Sequence, residues 1–322
     1  MRSSGLSLLL LAALLASGLA AVSYRGHKVY RLVPTEEQLQ TLSQLREHPA
    51  LDFWSRAHRA GHPVEVRVPP DVHDHFRAFL DRQGVLHNVL IDDLEQIFEK
   101  ERNLTLVRSI PKSPEDRISF TEYQRYDDIR QYLSQLASSY PSTVTVQTIG
   151  QTYEGRPLDI IQISSGGGGS RPVILIDAGI HAREWIAPAA ALYVINQLVE
   201  NAAESALTDS VDWHIIPVLN PDGYEYTFTE DRMWRKTRST TTSPNCPGVD
   251  GNRNFDFHWN DAAAGGSDDW TKGVAGVALS YTIELPDDGS SGFDPPASDI
   301  LKLVTPFFEA VRVYGEYIAD NY

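Results

Sequence analysis

Cysteine is nearly absent from the sequence, which contains Cys246 and no other cysteine among 322 residues. A framework of disulfides within the chain is therefore excluded. In a secreted protein, a single cysteine either pairs with another chain or has lost its partner. The alternative is a lone buried thiol that behaves as a small hydrophobic side chain.

Positive charge is also scarce. The 28 Lys and Arg residues are outnumbered by 43 Asp and Glu residues, which gives a formal net charge of -15. Because a nucleic acid would repel such a chain, we expect no nucleic-acid partner.

Long apolar runs are rare, and the best candidate is the segment 6–19 near the start of the chain. Arg2 precedes this segment, and the small residues Ala20 and Ala21 follow it. A positive start, an apolar middle and a small-residue end predict a secretory signal peptide over residues 1–21. A membrane anchor is the alternative, but the run is short for a membrane span. We therefore expect a secreted, extracellular protein that does not bind a membrane.

Residues 22–105 have the pattern of a small α/β domain. A strand pattern over 27–33 precedes Thr35 and Gln38, which have the spacing of a helix-capping box. The alternation of valines over 64–68 predicts a second strand. The polar, Pro-containing segment 106–117 has the composition of a linker. Its exposed basic residues, Arg108 and Arg117 among them, suit cleavage by a trypsin-like protease.

Residues 118–322 have the pattern of a larger α/β domain. Strand patterns over 144–149, 158–163, 173–177, 211–218 and 278–285 alternate with helical patterns over 126–136, 186–198 and 300–314. The order predicts a mixed, largely parallel sheet flanked by helices. Because 173–177 is almost wholly apolar, we expect that strand to be covered on both faces.

The segment after the strand 173–177 carries the first candidate site. His181 and Glu184 follow the carboxyl end of that strand, where α/β sheets bind ligands. An imidazole and a carboxylate can both ligate zinc. The H-x-x-E spacing alone is weak, because His62 and Glu65 share it. A histidine in a surface loop is the alternative reading.

Two further segments add residues that could bind a substrate or take part in catalysis. A basic stretch over 233–238 contains Arg235, and Arg253 follows shortly after, so planar guanidinium groups are available for a substrate carboxylate or an oxyanion. Glu284 ends the apolar pattern 278–285, where an unpaired carboxylate is unfavourable unless it is exposed or used. Beside a metal-bound water it could act as a general base. Solvated surface charge is the alternative for all three residues.

Taken together, the segments resemble the pancreatic-type zinc metallocarboxypeptidases of peptidase family M14, the carboxypeptidases A and B. The resemblance rests on five motifs in family order: G-I-H-A-R-E-W-I, N-P-D-G-Y, M-W-R-K-T-R-S, D-G-N-R-N-F and G-G-S-D-D-W. It implies a carboxypeptidase-like fold preceded by an open-sandwich activation domain, as in a zymogen that removes C-terminal residues from peptides. The implied partners are peptide or protein C-termini and an activating trypsin-like protease.

The resemblance also implies roles for individual residues. His181 and Glu184 would be zinc ligands, with Asp250 orienting the His181 ring. Arg235 would stabilise the developing oxyanion, and Glu284 would be the general base and then the proton donor.

Four more residues would bind the substrate. Asn252 and Arg253 would hold its terminal carboxylate, and Arg183 would line the peptide cleft. Asp268 falls where the family sets specificity. An acidic side chain there resembles carboxypeptidase B and implies a preference for C-terminal Lys or Arg through charge pairing.

The sequence departs from the family pattern between positions 260 and 264. The family has about a hundred further residues there, which include the third protein ligand that a catalytic zinc typically uses. They also include the partner of Cys246 and a tyrosine that closes over the substrate. The histidines that remain downstream, His214 and His258, lie outside ligand motifs. We therefore expect one weakly held zinc. An incomplete gene model or a skipped exon is the favoured explanation of the gap, and the alternatives are a catalytically inactive splice form, or a non-catalytic relative that binds peptide C-termini or an inhibitor.

Overall fold

The computed structural model describes residues 21–46, 48–55, 59–108, 118–166, 171–241, 246–258, 266–285 and 295–322. The predicted signal peptide, apart from Ala21, lies outside these residues, as do positions 109–117 of the predicted linker. No described helix combines the length and the apolar character needed to cross a membrane.

The N-terminal unit, residues 21–108, is a four-stranded sheet with helices. Its elements are β1 (Lys28–Val33), α1 (Glu36–Leu45), β2 (Asp52–Phe53), β3 (Val64–Val68), α2 (His73–Gln83), β4 (Leu86–Ile91) and α3 (Leu94–Arg108). The strands pair in the antiparallel order β2-β3-β1-β4. The Thr35 N–H donates to Gln38 Oε1 at 2.9 Å, as the capping pattern predicts. Helix α3 continues three residues past the boundary predicted at 105.

The two faces of this sheet pack against different partners. Tyr30 and Leu32 of β1 point to a core that α1 and α2 close. Val29 lies in a second cluster with residues of α3 and with Met233, which belongs to the C-terminal unit. The sheet therefore forms an open sandwich whose second face is used to dock the rest of the chain.

The C-terminal unit, residues 118–322, begins with helix α4 and ends with helix α9. Its elements are α4 (Tyr126–Ser139), β5 (Val144–Gln151), β6 (Pro157–Ile163), β7 (Val173–Asp177), α5 (Ile186–Glu200), α6 (Ser205–Ser210), β8 (Asp212–Ile216), α7 (Pro221–Thr229), α8 (Ser267–Gly273) and α9 (Ile300–Asn321). The described strands lie in the order β5-β6-β8-β7. The sheet is mixed, as predicted, and its parallel pairing among these strands is that of β7 with β8.

Helices α4, α5 and α9 share one core with one face of this sheet. The alternating residues Ile161, Ile174, Trp213 and Ile215 point into that core and are at most 7% exposed. Residues at alternate positions along a strand point to the same face, so Trp213 and Ile215 of β8 both reach this core.

Two predictions about strands are wrong. Strand β7 is an edge strand in the described part of the sheet, and Val173 and Leu175 are 53% and 56% exposed, so it is not covered on both faces. The segment 278–285 forms no strand, because a strand pattern needs a neighbouring strand to complete its hydrogen bonds. Leu279 instead packs against the helical core, and Tyr281 contacts Tyr314 of α9 edge-on.

Candidate active site

The loop that joins β7 to α5 carries His181, Arg183 and Glu184. Gly179 opens this loop with φ +66°, and a Cβ there would lie 3.0 Å from Pro188 Cγ. Glycine is therefore required by both the backbone conformation and the close packing. The loop ends where α5 begins at Ile186, so His181 and Glu184 are fixed between a strand and a helix.

Four side chains close into one hydrogen-bonded ring, which we call the site cluster: His181, Glu184, Arg235 and Asp250. His181 Nδ1 lies 3.1 and 3.2 Å from the two Glu184 carboxylate oxygens, and His181 Nε2 lies 3.2 Å from Asp250 Oδ1. Arg235 closes the ring, because its Nε donates to Asp250 Oδ2 at 3.0 Å and its NH1 donates to Glu184 Oε1 at 3.4 Å.

Each ionised group in the site cluster stabilises the charged form of its neighbours. Burial alone would lower the pKa of His181, but hydrogen bonds to Asp250 and Glu184 outweigh it and raise that pKa. Burial would raise the pKa of Glu184 and of Asp250, yet His181 and Arg235 hold both below their usual values. The carboxylates are therefore charged at neutral pH. Because a metal ion and a proton compete for the His181 ring, metal binding there should weaken as the pH falls.

The arrangement fits part of a zinc site. Two ligands of a tetrahedral zinc lie about 3.3 Å apart, given zinc–ligand bonds of about 2.0–2.2 Å. The separation of His181 Nδ1 from Glu184 Oε1, 3.1 Å, is close to that value. Asp250 contacts the other ring nitrogen, where a carboxylate commonly orients a metal-bound histidine.

A third ligand is not found in the part of the chain that the structure describes. Within the described residues, no group of three or more His, Cys, Asp or Glu side chains could hold a metal ion. Cys246 is exposed, which overturns the reading of a buried thiol, and its Sγ accepts a hydrogen bond from Lys236 Nζ at 3.3 Å.

Arg183 points away from the site cluster and into the N-terminal unit. Its guanidinium binds Asp52 through two hydrogen bonds, NH1 to Oδ2 at 2.5 Å and NH2 to Oδ1 at 3.0 Å. Arg183 is 5% exposed, and the Asp52 side chain is 21% exposed, so a buried guanidinium meets a half-buried carboxylate. Burial would raise the pKa of Asp52, but Arg183 and Arg67 lower it to about 2. A side chain predicted to contact the substrate is thus occupied by a carboxylate of the N-terminal unit.

The segment 231–233 strengthens this docking. The Tyr24 hydroxyl donates to Asp231 at 2.5 Å, and Arg232 Nε donates to Glu101 at 3.1 Å. Arg232 also stacks on Trp185, 3.6 Å from its ring centre. Because Arg235 follows two residues after Met233, the docking interface and the site cluster share one loop.

Asn252 and Arg253 lie beside the site cluster on a short turn. The Asn252 N–H donates to Asp250 Oδ1 at 3.1 Å, and Arg253 NH1 donates to the carbonyl oxygen of Asn252 at 2.5 Å. The Asn252 side chain accepts the N–H of Ser267 at 2.9 Å, which tethers the start of α8 to this turn. Asp268 follows in α8. Reduced hydration raises the pKa of Asp177 at the end of β7, and the nearby charge of Asp268 adds to that rise.

Glu284 differs from the other candidates. It lies on irregular chain and is exposed, so the prediction that it ends a strand is wrong. Within the described residues, it makes no hydrogen bond or ion pair with the site cluster. Its role as general base stays a prediction.

Asp52 was not foreseen from the sequence. It is 131 residues from Arg183. The residues that follow it, Phe53 and Trp54, do not indicate that this aspartate pairs with a distant arginine. Only the docking of the two units brings the pair together.

Comparison with known families identifies the chain. A zinc carboxypeptidase family profile, Peptidase_M14, matches residues 129–264 and 260–310, and a carboxypeptidase activation peptide profile matches residues 30–101. The chain therefore belongs to the M14 zinc carboxypeptidase family and carries the activation peptide of a zymogen. The N-terminal unit corresponds to that peptide and is called the activation domain below.

Individual relatives agree with this assignment. The chain is 34% identical to carboxypeptidase A1 of Bos taurus over 267 residues, which is 81% of this chain and 64% of the bovine protein. It is 32% identical to carboxypeptidase B of Astacus astacus over 303 residues, which is 64% of this chain and all of the relative. The crystal structure of carboxypeptidase A from Helicoverpa armigera matches with a TM-score of 0.68 at 31% identity, over 87% of this chain and 66% of that one.

Two conclusions follow from these relatives. The predicted carboxypeptidase-like α/β fold with an activation domain is confirmed. The chain spans less than two thirds of the length of the bovine relative.

Proposed function

We propose that the chain is the secreted zymogen of a zinc-dependent carboxypeptidase that removes C-terminal residues from peptides. The observation that carries this proposal is the contact of His181 Nδ1 with Glu184, at the separation of two zinc ligands, while Asp250 holds the other ring nitrogen. A surface histidine would have no reason to be held from both sides by carboxylates.

Each residue of the site cluster has a task in this reaction. His181 and Glu184 would hold the zinc. When bound, the zinc would polarise the scissile carbonyl and activate a water molecule. Asp250 keeps the His181 ring in one orientation and one tautomer. Arg235 lies within 3.4 Å of Glu184, so its positive charge is available to an oxyanion that develops beside the metal ligands.

Substrate selection would depend on the turn and helix next to the cluster. Asn252 and Arg253 would bind the terminal carboxylate of the peptide. Asp268, which lies in α8 and is tethered through Ser267 to Asn252, would favour a C-terminal Lys or Arg.

The activation domain would keep the enzyme inactive until its linker is cut. Asp52 occupies Arg183, and release of the activation domain would free that guanidinium for the peptide. Segment 109–117 and Arg108 would provide the cleavage site for a trypsin-like protease.

We further propose that an internal segment of the family is missing from this chain near residues 260–264. Two findings support it. The family profile matches in two pieces that meet at this point. The alignment with the Astacus astacus enzyme spans 303 residues and all of that relative but only 64% of this chain.

A second candidate function is favoured by Glu284, which is exposed and, in the part of the chain that the structure describes, makes no hydrogen bond or ion pair with the site cluster. With two ligands and no general base in reach, the chain would be a non-catalytic relative that binds peptide C-termini or a carboxypeptidase inhibitor through Arg235, Asn252 and Arg253.

One experiment separates the two candidates. The protein is treated with trypsin, supplied with Zn2+, and given peptides that end in Lys, Phe or Glu. Release of the C-terminal residue, fastest for Lys and lost in His181→Ala but not in His62→Ala, supports the enzyme. Binding of the same peptides without release supports the non-catalytic relative and overturns the first proposal.

A further inference from the structure

The site cluster depends on two loops that come from distant parts of the chain. His181 and Glu184 lie on the loop after β7, and Arg235 lies on the segment after α7. One backbone hydrogen bond joins these loops directly, from the Ala182 N–H to the Arg235 carbonyl oxygen at 3.1 Å. Side chains add further links between the loops, because Arg235 NH1 donates to Glu184 Oε1 at 3.4 Å and Arg232 NH1 donates to the Arg183 carbonyl oxygen at 2.8 Å.

The side chain of Asn220 connects the two loops at the residues that adjoin His181 and Arg235. Its Nδ2 donates to the carbonyl oxygen of Ile180 at 3.3 Å and to that of Lys236 at 3.0 Å. Ile180 immediately precedes His181, and Lys236 immediately follows Arg235. Trp234 Nε1 donates to the same Lys236 oxygen at 2.6 Å, so this carbonyl is an anchor point for the second loop.

The same carboxamide also caps a helix. Asn220 is the N-cap of α7, and its Oδ1 accepts the N–H of Gly223 at 3.1 Å. Asparagine is the residue type that offers one acceptor and two donors at this length. The three partners also fix the orientation of the amide, because the reverse assignment would place its oxygen against two carbonyl oxygens.

The packing around this carboxamide leaves no room for movement. Asn220 is 6% exposed. A Cβ on Gly223 would lie 2.6 Å from both Asn220 Nδ2 and the Lys236 oxygen, and 2.8 Å from the Ala182 Cβ. The three segments therefore meet at one tightly packed point, directly behind the site cluster.

We propose that Asn220 is a positioning residue of the active site, which sets the distance between the His181 loop and the Arg235 loop through its two amide hydrogens. The proposal rests on the proposed function only in assigning the cluster to zinc. It gives a task to the N-P-D-G-Y motif, which has no direct contact with the site cluster.

The alternative is that Asn220 is only a helix cap, and Asn220→Asp separates the two roles. Aspartate is an equally good cap and can still accept the Gly223 N–H. It offers no donors, however, and places an oxygen against the carbonyls of Ile180 and Lys236. Asn220→Ala removes both roles. Asn196→Ala is the matched control, since Asn196 donates to Glu200 and Tyr132 at the far end of α5.

The first measurement is the 15N spectrum of the His181 imidazole in the metal-free, full-length protein. We expect its resonances to shift in Asn220→Asp and Asn220→Ala but not in Asn196→Ala. The second is Zn2+ affinity, which should fall about tenfold in Asn220→Asp, at the lower end of the effect of removing an outer partner of a metal ligand.

Asn220→Asp with a wild-type imidazole spectrum would show that Asn220 is a cap only, and would overturn the proposal. If the wild type binds no Zn2+, the zinc assignment fails, while the imidazole spectrum still tests Asn220. If neither variant folds, the proposal is tested in the wild type by the rate at which the two side-chain amide hydrogens of Asn220 exchange with solvent. We expect it to be slower by roughly tenfold or more than that of exposed Asn88, and equal rates would overturn the proposal.

Discussion

The substitution Asp52→Asn should weaken the docking of the activation domain on the rest of the chain. The change keeps the size of the side chain but removes the charge that Arg183 binds through two hydrogen bonds. Because Arg183 is 5% exposed, water cannot easily replace the lost partner. The variant therefore leaves a buried cation with a poorer acceptor.

The size of the effect follows from the pKa of Asp52, which Arg183 of the C-terminal unit and Arg67 of its own unit together lower from 3.8 to about 2. At about 1.4 kcal/mol per pKa unit, the interactions of the charged carboxylate with both arginines stabilise the folded chain by about 2 kcal/mol. Since the pKa is lowered, this contribution is fully present above pH 3.8 and is lost as the pH falls towards 2.

Urea unfolding of the full-length chain measures this contribution. At pH 7, Asp52→Asn should lower the free energy of unfolding by about 2 kcal/mol, and the difference from wild type should narrow as the pH falls from 3.8 towards 2. Asp92→Asn is the control, because Asp92 pairs with Lys28 at an exposed position and should change stability little. Equal stabilities of the two variants, or a difference that does not depend on pH, would refute the reasoning.

Two further substitutions test the packing of the C-terminal unit. Gly315→Ala places a Cβ 2.8 Å from Trp213 Cζ2 and 3.1 Å from Leu207 Cδ2, so it should destabilise the chain by about 1–3 kcal/mol despite the better helix propensity of alanine. A urea midpoint equal to or above that of the wild type would contradict this packing. Leu175→Lys places a charge on edge strand β7, where Leu175 is 56% exposed, and should reduce self-association in light scattering without loss of stability. Unchanged association would show that β7 is not an exposed edge.

The sequence predicted those parts of the structure that local patterns determine. Helix α9 buries Leu303 and Val311 at the predicted helical spacing, with Phe307 partly buried, and the capping pair Thr35 and Gln38 starts α1. The H-x-x-E loop is equally local, because His181 and Glu184 are three residues apart on one turn between β7 and α5.

The features that the sequence did not predict depend on distant neighbours. The segment 278–285 has a strand pattern, but no strand pairs with it among the described residues, and Leu279 packs on the helical core while Ile283 is 62% exposed. The exposure of β7 also depends on which strand lies beside it. The pairing of Asp52 with Arg183 and the bridging by Asn220 require units that only the folded chain brings together.

The assignment of His181 and Glu184 as a pair of metal ligands is tested most directly by titrating the metal-free, full-length protein with Zn2+. We predict one Zn2+ per chain, with binding lost in both His181→Ala and Glu184→Gln and unchanged in His62→Ala, which has the same H-x-x-E spacing. Zinc that still binds with wild-type affinity after both substitutions in the site cluster would contradict the account.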